Sequence, residues 1–297
     1  MNTVITLAVS MAACLLSQVS KKVFTSRTNG SMTSLHAFNA ISCVVSFLVL
    51  LVWGGIEGLS PLTAFLGTLF GVIVSLQAIT LMVALRIGPM SYTLVISNFS
   101  TVISALSGFF LFGEEIGVFQ IVGIALMLVS FALAVEKNTS EKKASLKWLL
   151  FSALTFLFTG GIGVMQKLHQ NSSVKNELNA FLVFAFAVSF LFSGILMLIN
   201  RKREKQPCFE KNQKGGVNWL FIIMMLAGGF FVAANHKLNL YLSGIIPSAI
   251  FFPIVNGGGL MLSTVTAVLF FRERPTVKQW IGVAFGILSV LFLCLPS

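Results

Sequence analysis

Aspartate is absent from this sequence of 297 residues, and its nine acidic side chains are all glutamates. Aspartyl-phosphate pumps, intramembrane aspartyl proteases and Walker-type ATPases each depend on an aspartate, so these classes are excluded. None of the glutamates is predicted to lie in the middle of an apolar segment. A buried carboxylate that relays protons or binds a cationic solute is therefore not expected.

Charge of either sign is scarce, since only 10% of the residues are charged whereas 56% are apolar and the mean hydropathy is +0.93. A chain of this composition needs lipid as its solvent. The four cysteines show no CxxC or paired spacing, and neither HExxH nor a cluster of histidines occurs. We therefore predict no disulfide framework, metal site or cofactor. An enzyme is not expected either, although a membrane-embedded enzyme such as a lipid-modifying transferase is the alternative.

Long apolar runs dominate what is present, and each reaches the roughly 20 residues that a helix needs to cross a bilayer. Gly-Gly pairs, prolines and polar loops separate these runs. They predict an all-α membrane protein with ten transmembrane helices at about 2–24, 33–53, 62–86, 90–112, 117–135, 147–167, 178–200, 218–243, 247–271 and 277–296.

The basic residues are distributed unevenly among the predicted loops. Nearly all of the 20 lysines and arginines fall in the loops that follow odd-numbered spans. By the positive-inside rule these loops are cytoplasmic, which places both termini outside the cytoplasm. The net charge of +11 is thus explained by membrane orientation, and no nucleic-acid partner is predicted.

The two halves of the chain resemble each other. A shift of 159 residues aligns Phe112 with Phe271, Glu114 with Glu273, Val118 with Val277, Gln120 with Gln279, Gly123 with Gly282, Ala125 with Ala284 and Ser130 with Ser289. An internal duplication explains this pattern. Five spans is an odd number, so the second copy must enter the membrane from the opposite face. The sequence therefore predicts two inverted repeats at 1–138 and 147–297, joined by a linker at 139–146, as in many secondary transporters.

A motif recurs at the ends of the fourth and ninth spans. The first copy reads Gly108-Phe109-Phe110-Leu111-Phe112-Gly113-Glu114-Glu115, followed by Gln120-Ile121-Val122-Gly123; the second reads Phe270-Phe271-Arg272-Glu273-Arg274-Pro275, followed by Gln279-Trp280-Ile281-Gly282. This repeated pattern resembles the EamA-type carriers of the drug/metabolite transporter superfamily, over essentially the whole chain. The resemblance implies a ten-helix carrier in a bacterial inner membrane, often an exporter of amino acids or other small metabolites. The first span lacks the buried glutamate of the small multidrug members.

Polar side chains inside the predicted spans are the candidates for substrate binding, because such groups usually face a cavity or a partner. Asn98 and Asn256 match across the repeat, and Gln77 roughly matches Asn235. Lys237 either faces a cavity and meets a substrate carboxylate, or snorkels to the membrane surface. The structural alternative for these polar side chains is hydrogen bonding between helices. The candidates are Gln18, His36, Asn39, Gln77, Asn98, Gln166, Asn235, His236, Lys237 and Asn256.

Two glutamates and two glycines carry the repeated motif. We expect Glu114 and Glu273 to cap helix N-termini at the start of the fifth and tenth spans, with a gating contact as the alternative. Gly123 and Gly282 are expected to have a structural role and not to bind substrate. These patterns predict alternating-access transport of a small neutral, zwitterionic or anionic metabolite by a monomer or homodimer.

Overall fold

The structure is a computed structural model that describes residues 2–26, 32–56, 58–88, 90–133, 145–204, 219–271 and 276–295. Within these ranges the chain is helical and has no β-strand, which confirms the prediction of an all-α protein. A short 3-10 turn, Lys175–Glu177, precedes α8. The helices are α1 (Thr3–Ser26), α2 (Met32–Gly54), α3 (Pro61–Ile87), α4 (Met90–Phe99), α5 (Thr101–Phe112), α6 (Val118–Leu133), α7 (Leu146–Gln170), α8 (Leu178–Glu204), α9 (Trp219–Ser243), α10 (Ser248–Phe271) and α11 (Val277–Leu293).

Membrane-length helices recur along the chain. Among the described residues, six segments are long and apolar enough to cross a bilayer: Thr3–Lys21, Thr33–Gly54, Pro61–Ala84, Leu146–Gln170, Lys175–Arg203 and Trp219–Ser243. Shorter apolar helices lie at Ile96–Phe112, Val118–Leu133 and Val277–Leu293. Several such helices in one chain make this a multi-pass membrane protein.

The chain forms two compact units that differ from the two halves of the sequence. Unit 1 contains Met1–Ser75 and Ser172–Leu240, and unit 2 contains Leu76–Asn171 and Tyr241–Ser297. Each unit therefore combines helices from both halves of the sequence. Most of the predicted linker lies outside the described residues, and the extent of each repeat stays a prediction.

Unit 1 is held together by close contacts of α8 with α2 and α3. The side-chain amide of Asn39 donates to the Ser193 hydroxyl at 2.9 Å, and that of Asn179 donates to the carbonyl of Leu50 at 2.9 Å. An early residue of α2 thus meets a late residue of α8, and the reverse holds at the other end. The two helices, which are the second and seventh predicted spans, run antiparallel.

Unit 2 contains a reciprocal pair of hydrogen bonds between α6 and α11. The Ser130 hydroxyl donates to the carbonyl of Gly282 at 2.7 Å, and the Ser289 hydroxyl donates to the carbonyl of Gly123 at 2.6 Å. The small glycines allow this approach, since a β-carbon at Gly123 would lie 2.7 Å from the Leu293 side chain. The register again shows antiparallel helices. The four bonded residues are the pairs that the 159-residue shift aligns.

A third pair of helices, α5 and α10, which belong to the fourth and ninth predicted spans, is also antiparallel. Asn256 bonds to Thr101 at 2.9 Å, whereas the later Gly108 lies beside Ser248, the first residue of α10. A cluster of buried apolar side chains, Ala105, Ile124, Ala249 and Leu293, fills the space among α5, α6, α10 and α11.

Candidate functional site

The fourth predicted span is interrupted, which the sequence did not predict. Helix α4 ends at Phe99 and α5 begins at Thr101, with Ser100 between them. The Ser100 amide donates to the carbonyl of Ser97 at 3.2 Å, and its hydroxyl donates to the same carbonyl at 2.6 Å. This bond spans three residues instead of four. A tightened turn inside a long helix often marks a hinge or a functional position.

The ninth predicted span, α10, is continuous but contains residues that weaken a helix near its middle. Pro253 lies inside the helix and has no N–H to give to the carbonyl of Ala249, one turn earlier. The run Gly257-Gly258-Gly259 follows and weakens the helix further. Asn256 lies between these two features. The fourth and ninth spans correspond in the predicted repeat, so the interruption at Ser100 and the weakened stretch of α10 fall at similar places in the two predicted copies.

The interruption at Ser100 and the weakened stretch of α10 meet in unit 2. The Asn256 amide donates to the Thr101 hydroxyl, and the hydroxyl groups of Ser97 and Thr159 lie 3.4 Å apart. Asn98 lies half-buried in the last turn of α4. We call this group the interruption site. It provides neutral donors and acceptors and no charged side chain, so it suits a polar neutral or zwitterionic group. Its members are Ser97, Asn98, Ser100, Thr101, Thr159 and Asn256.

A second polar cluster lies in unit 1, between α1 and α9. The Ser10 hydroxyl donates to Asn239 at 2.5 Å and to Asn235 at 3.4 Å, and the Asn239 amide donates to Asn235 at 3.2 Å. The neighbouring His236 ring packs edge-on against Phe70 and Phe186, with centroid distances of 5.8 and 5.4 Å. Ser10 was missed by the sequence reasoning because a serine in an apolar helix gives no distinct signal.

Lys237 lies close to the end of α9 and is half-buried. Its ammonium group donates to the side-chain amide oxygen of Asn179 at 3.0 Å and lies 4.6 Å from the centre of the Trp53 ring. Trp53 is near the end of α2 and is half-exposed. An aromatic residue and a long basic side chain at helix ends are typical of a membrane interface. These surroundings favour the snorkelling interpretation of Lys237.

The remaining candidates are dispersed over both units. In unit 1, His36 is buried in α2 and Asn39 is engaged with Ser193, while the Gln18 side chain lies outside the described part of α1. In unit 2, Gln77 is half-buried in α3 and Gln166 is buried in α7. The predicted set is therefore brought together only in part.

A buried ion pair in unit 2 was missed. Lys167, the last residue of the sixth predicted span, lies buried in the last turn of α7, where its ammonium group pairs with Glu114. Only 7% of the Lys167 side chain and 18% of the Glu114 side chain are exposed. Lys167 also donates to the carbonyls of Ser243 at 2.9 Å and Ile246 at 3.4 Å. The pair could not be predicted because spacing along the chain does not show which residues meet in space.

Glu114 caps a different helix from the one expected. Its carboxylate accepts the Ser248 amide at 2.7 Å, at the start of α10 and not of α6. Gly113 ends α5 in the left-handed conformation, with φ of 65°, and so releases Glu114 toward α10. The anion lies at the N-terminus of α10 and Lys167 lies at the C-terminus of α9, and both placements complement the helix dipoles. Glu273 lies outside the described residues.

Comparison with known proteins shows the fold alone. No family model matches the chain, and no curated protein matches it. A crystal structure of another protein superposes with a TM-score of 0.73 at 13% sequence identity. The superposition covers 98% of this chain and 96% of the other. The two proteins therefore share a fold over their whole lengths, and identity this low says nothing about function.

Proposed function

We propose that this protein is a secondary carrier that moves a small polar metabolite across the membrane by alternating access. Its ten spans form two inverted five-span repeats, and the fourth of these spans comprises α4 and α5. The observation that carries the proposal is the reciprocal bonding of Ser130 with Gly282 and of Ser289 with Gly123. Two contacts related in this way are what a two-fold axis between similar halves produces.

The direction of the helices supports inversion of the repeats. Among the described residues, α2 contacts α8, α5 contacts α10 and α6 contacts α11. Each pair joins spans at corresponding positions of the two proposed repeats, and each runs antiparallel. Two copies that enter the membrane from opposite faces have this arrangement. Such a pair has two near-equivalent states, one open to each side, which is the property a carrier needs.

The interruption site supports the choice of cargo. Interrupted spans in corresponding positions of two repeats are a recurring feature of transporter binding sites, because they expose backbone groups to the solute. The neutral amides and hydroxyls around Asn256 and Thr101 suit a polar neutral solute or an amino-acid-like zwitterion. The resemblance to EamA-type carriers adds export from the cytoplasm as the direction, in a bacterial inner membrane. The uneven distribution of basic residues favours both termini outside the cytoplasm.

Solute flux into proteoliposomes tests this function. A thermal-shift screen of the purified chain against small metabolites first selects those that stabilise it. Counterflow of each selected metabolite, in labelled form, is then measured in proteoliposomes. We expect saturable counterflow that empty liposomes lack. Asn256→Ala removes one hydrogen bond at the interruption site, worth about 0.5–1.5 kcal/mol, and should weaken apparent affinity about two- to twelvefold.

Asn200 provides the matched control. Its amide donates to the carbonyl of Leu196 on its own helix, so Asn200→Ala should leave counterflow unchanged. If no stabilising metabolite flows faster than through empty liposomes, the carrier proposal is wrong. A metabolite that emerges chemically altered would favour the enzyme alternative.

A further inference from the structure

An apolar groove lies on the surface of unit 1 between α2 and α9. Leu48, Val49, Val52, Trp53 and Phe230 line it, and no polar side chain is among them. Val52 is 89% exposed, and Leu48, Trp53 and Phe230 are each about half-exposed. In a multi-pass membrane protein an apolar surface of this kind contacts lipid acyl chains.

A positive charge lies beside one of the residues that line the groove. Trp53 lines the groove, and the Lys237 ammonium group lies 4.6 Å from the centre of its ring. Phe230 is seven residues earlier on α9, which is about 10 Å of helix at 1.5 Å per residue. The groove thus offers an apolar surface with a cation beside it, which is what an amphiphile with an anionic headgroup requires.

The charge of Lys237 remains available for a ligand. One of its three N–H groups donates to Asn179. In the parts of the chain that the structure describes, the ion pair with a carboxylate is formed by Lys167 with Glu114, and Lys237 has no such pair. Asn179 in turn donates to the carbonyls of Leu50 at 2.9 Å and Gly55 at 2.6 Å, which fixes it at the end of α2. Lys237 is therefore held in place by neutral partners.

We propose that this groove binds one anionic phospholipid, with an acyl chain along Leu48, Val52 and Phe230 and the headgroup phosphate on Lys237. The ring of Trp53 lies at the level where headgroup and acyl chain meet, the position that tryptophan favours in membranes. The charge of Lys237 distinguishes an anionic headgroup from a zwitterionic one. The inference requires only that unit 1 lies in a membrane and does not depend on the proposed transport.

Native mass spectrometry of the purified full-length chain tests the proposal, with phosphatidylglycerol and phosphatidylcholine of identical acyl chains as probes. We expect the first bound phosphatidylglycerol to bind about fivefold more tightly than phosphatidylcholine, as one basic side chain near a membrane surface predicts. Lys237→Gln should abolish that preference. Val52→Trp, which fills the groove without changing charge, should weaken the binding of both lipids.

Lys175 is the matched control because it is an exposed lysine in the same unit, four residues before Asn179. Lys175→Gln removes the same charge and should keep the preference for phosphatidylglycerol. Gel filtration establishes that each variant is folded before lipid is added. Equal binding of the two lipids by the original chain, or a preference that survives Lys237→Gln, would overturn the proposal.

Discussion

Replacing Lys167 with methionine is expected to destabilise the protein severely, by about 3–5 kcal/mol, because it leaves the Glu114 carboxylate buried without its cation. The substitution also removes the donor to the carbonyls of Ser243 and Ile246. Thermal unfolding in detergent, followed by the loss of the monodisperse gel-filtration peak, measures the effect. Little or no folded protein at the temperature where the original chain is stable is the expected result.

Two further variants separate charge from packing in this prediction. Glu114→Gln added to Lys167→Met removes the unpaired charge and retains a carbonyl that accepts the Ser248 amide, so the double variant should be more stable than Lys167→Met alone. Lys147→Met removes an exposed lysine from the first turn of the same helix and should change stability by less than about 0.5 kcal/mol. Equal melting of Lys147→Met and Lys167→Met would show that the ion pair contributes nothing.

Gly71→Val is the second change with a large expected effect. A β-carbon at Gly71 would overlap the carbonyl oxygen of Ala185 and lie 3.0 Å from the Val188 β-carbon, so α3 would have to move away from α8. The same contact carries a bond from the Ser189 hydroxyl to the Gly71 carbonyl at 2.9 Å. Overpacking of this kind typically costs about 1–3 kcal/mol, and the strained bond adds to it.

Gly194→Val is the control for the substitution itself. It introduces the same branched side chain into α8, where the nearest described atom to a new β-carbon would be Phe190 Cε2 at 4.0 Å. The two variants therefore share their change in helix propensity and differ in packing. We expect the melting temperature to fall for Gly71→Val and to stay nearly unchanged for Gly194→Val. A similar fall in both would attribute the effect to propensity and not to the contact.

The membrane helices were predictable because the length of an apolar run and the lipid thickness fix them with little help from tertiary structure. The alignment by 159 residues also located in advance the four residues, Gly123, Ser130, Gly282 and Ser289, that the structure joins in reciprocal bonds. Identity at corresponding positions in two copies was informative here because each serine needs the glycine of the other copy.

The details of the candidate site were less predictable. Neither glycine nor proline marks the interruption at Ser100, since a serine hydroxyl bonded to the preceding turn causes no visible change in an apolar run. The pairing of Lys167 with Glu114 joins residues from different helices, and a lysine at the end of an apolar run resembles an interfacial residue when only its own helix is considered. Both features depend on contacts between helices.

Opposite insertion of the two repeats is the central claim, and side-specific labelling of cysteines tests it most directly. Val118 and Val277 are corresponding residues at the first positions of α6 and α11, and they are 73% and 77% exposed. Each is replaced by cysteine in a chain whose Cys14, Cys43, Cys208 and Cys294 are changed to serine, and intact cells are treated with a membrane-impermeant maleimide. We predict labelling of Val118→Cys in intact cells and of Val277→Cys only after the cells are opened. Labelling of both residues from the same side would contradict inverted repeats.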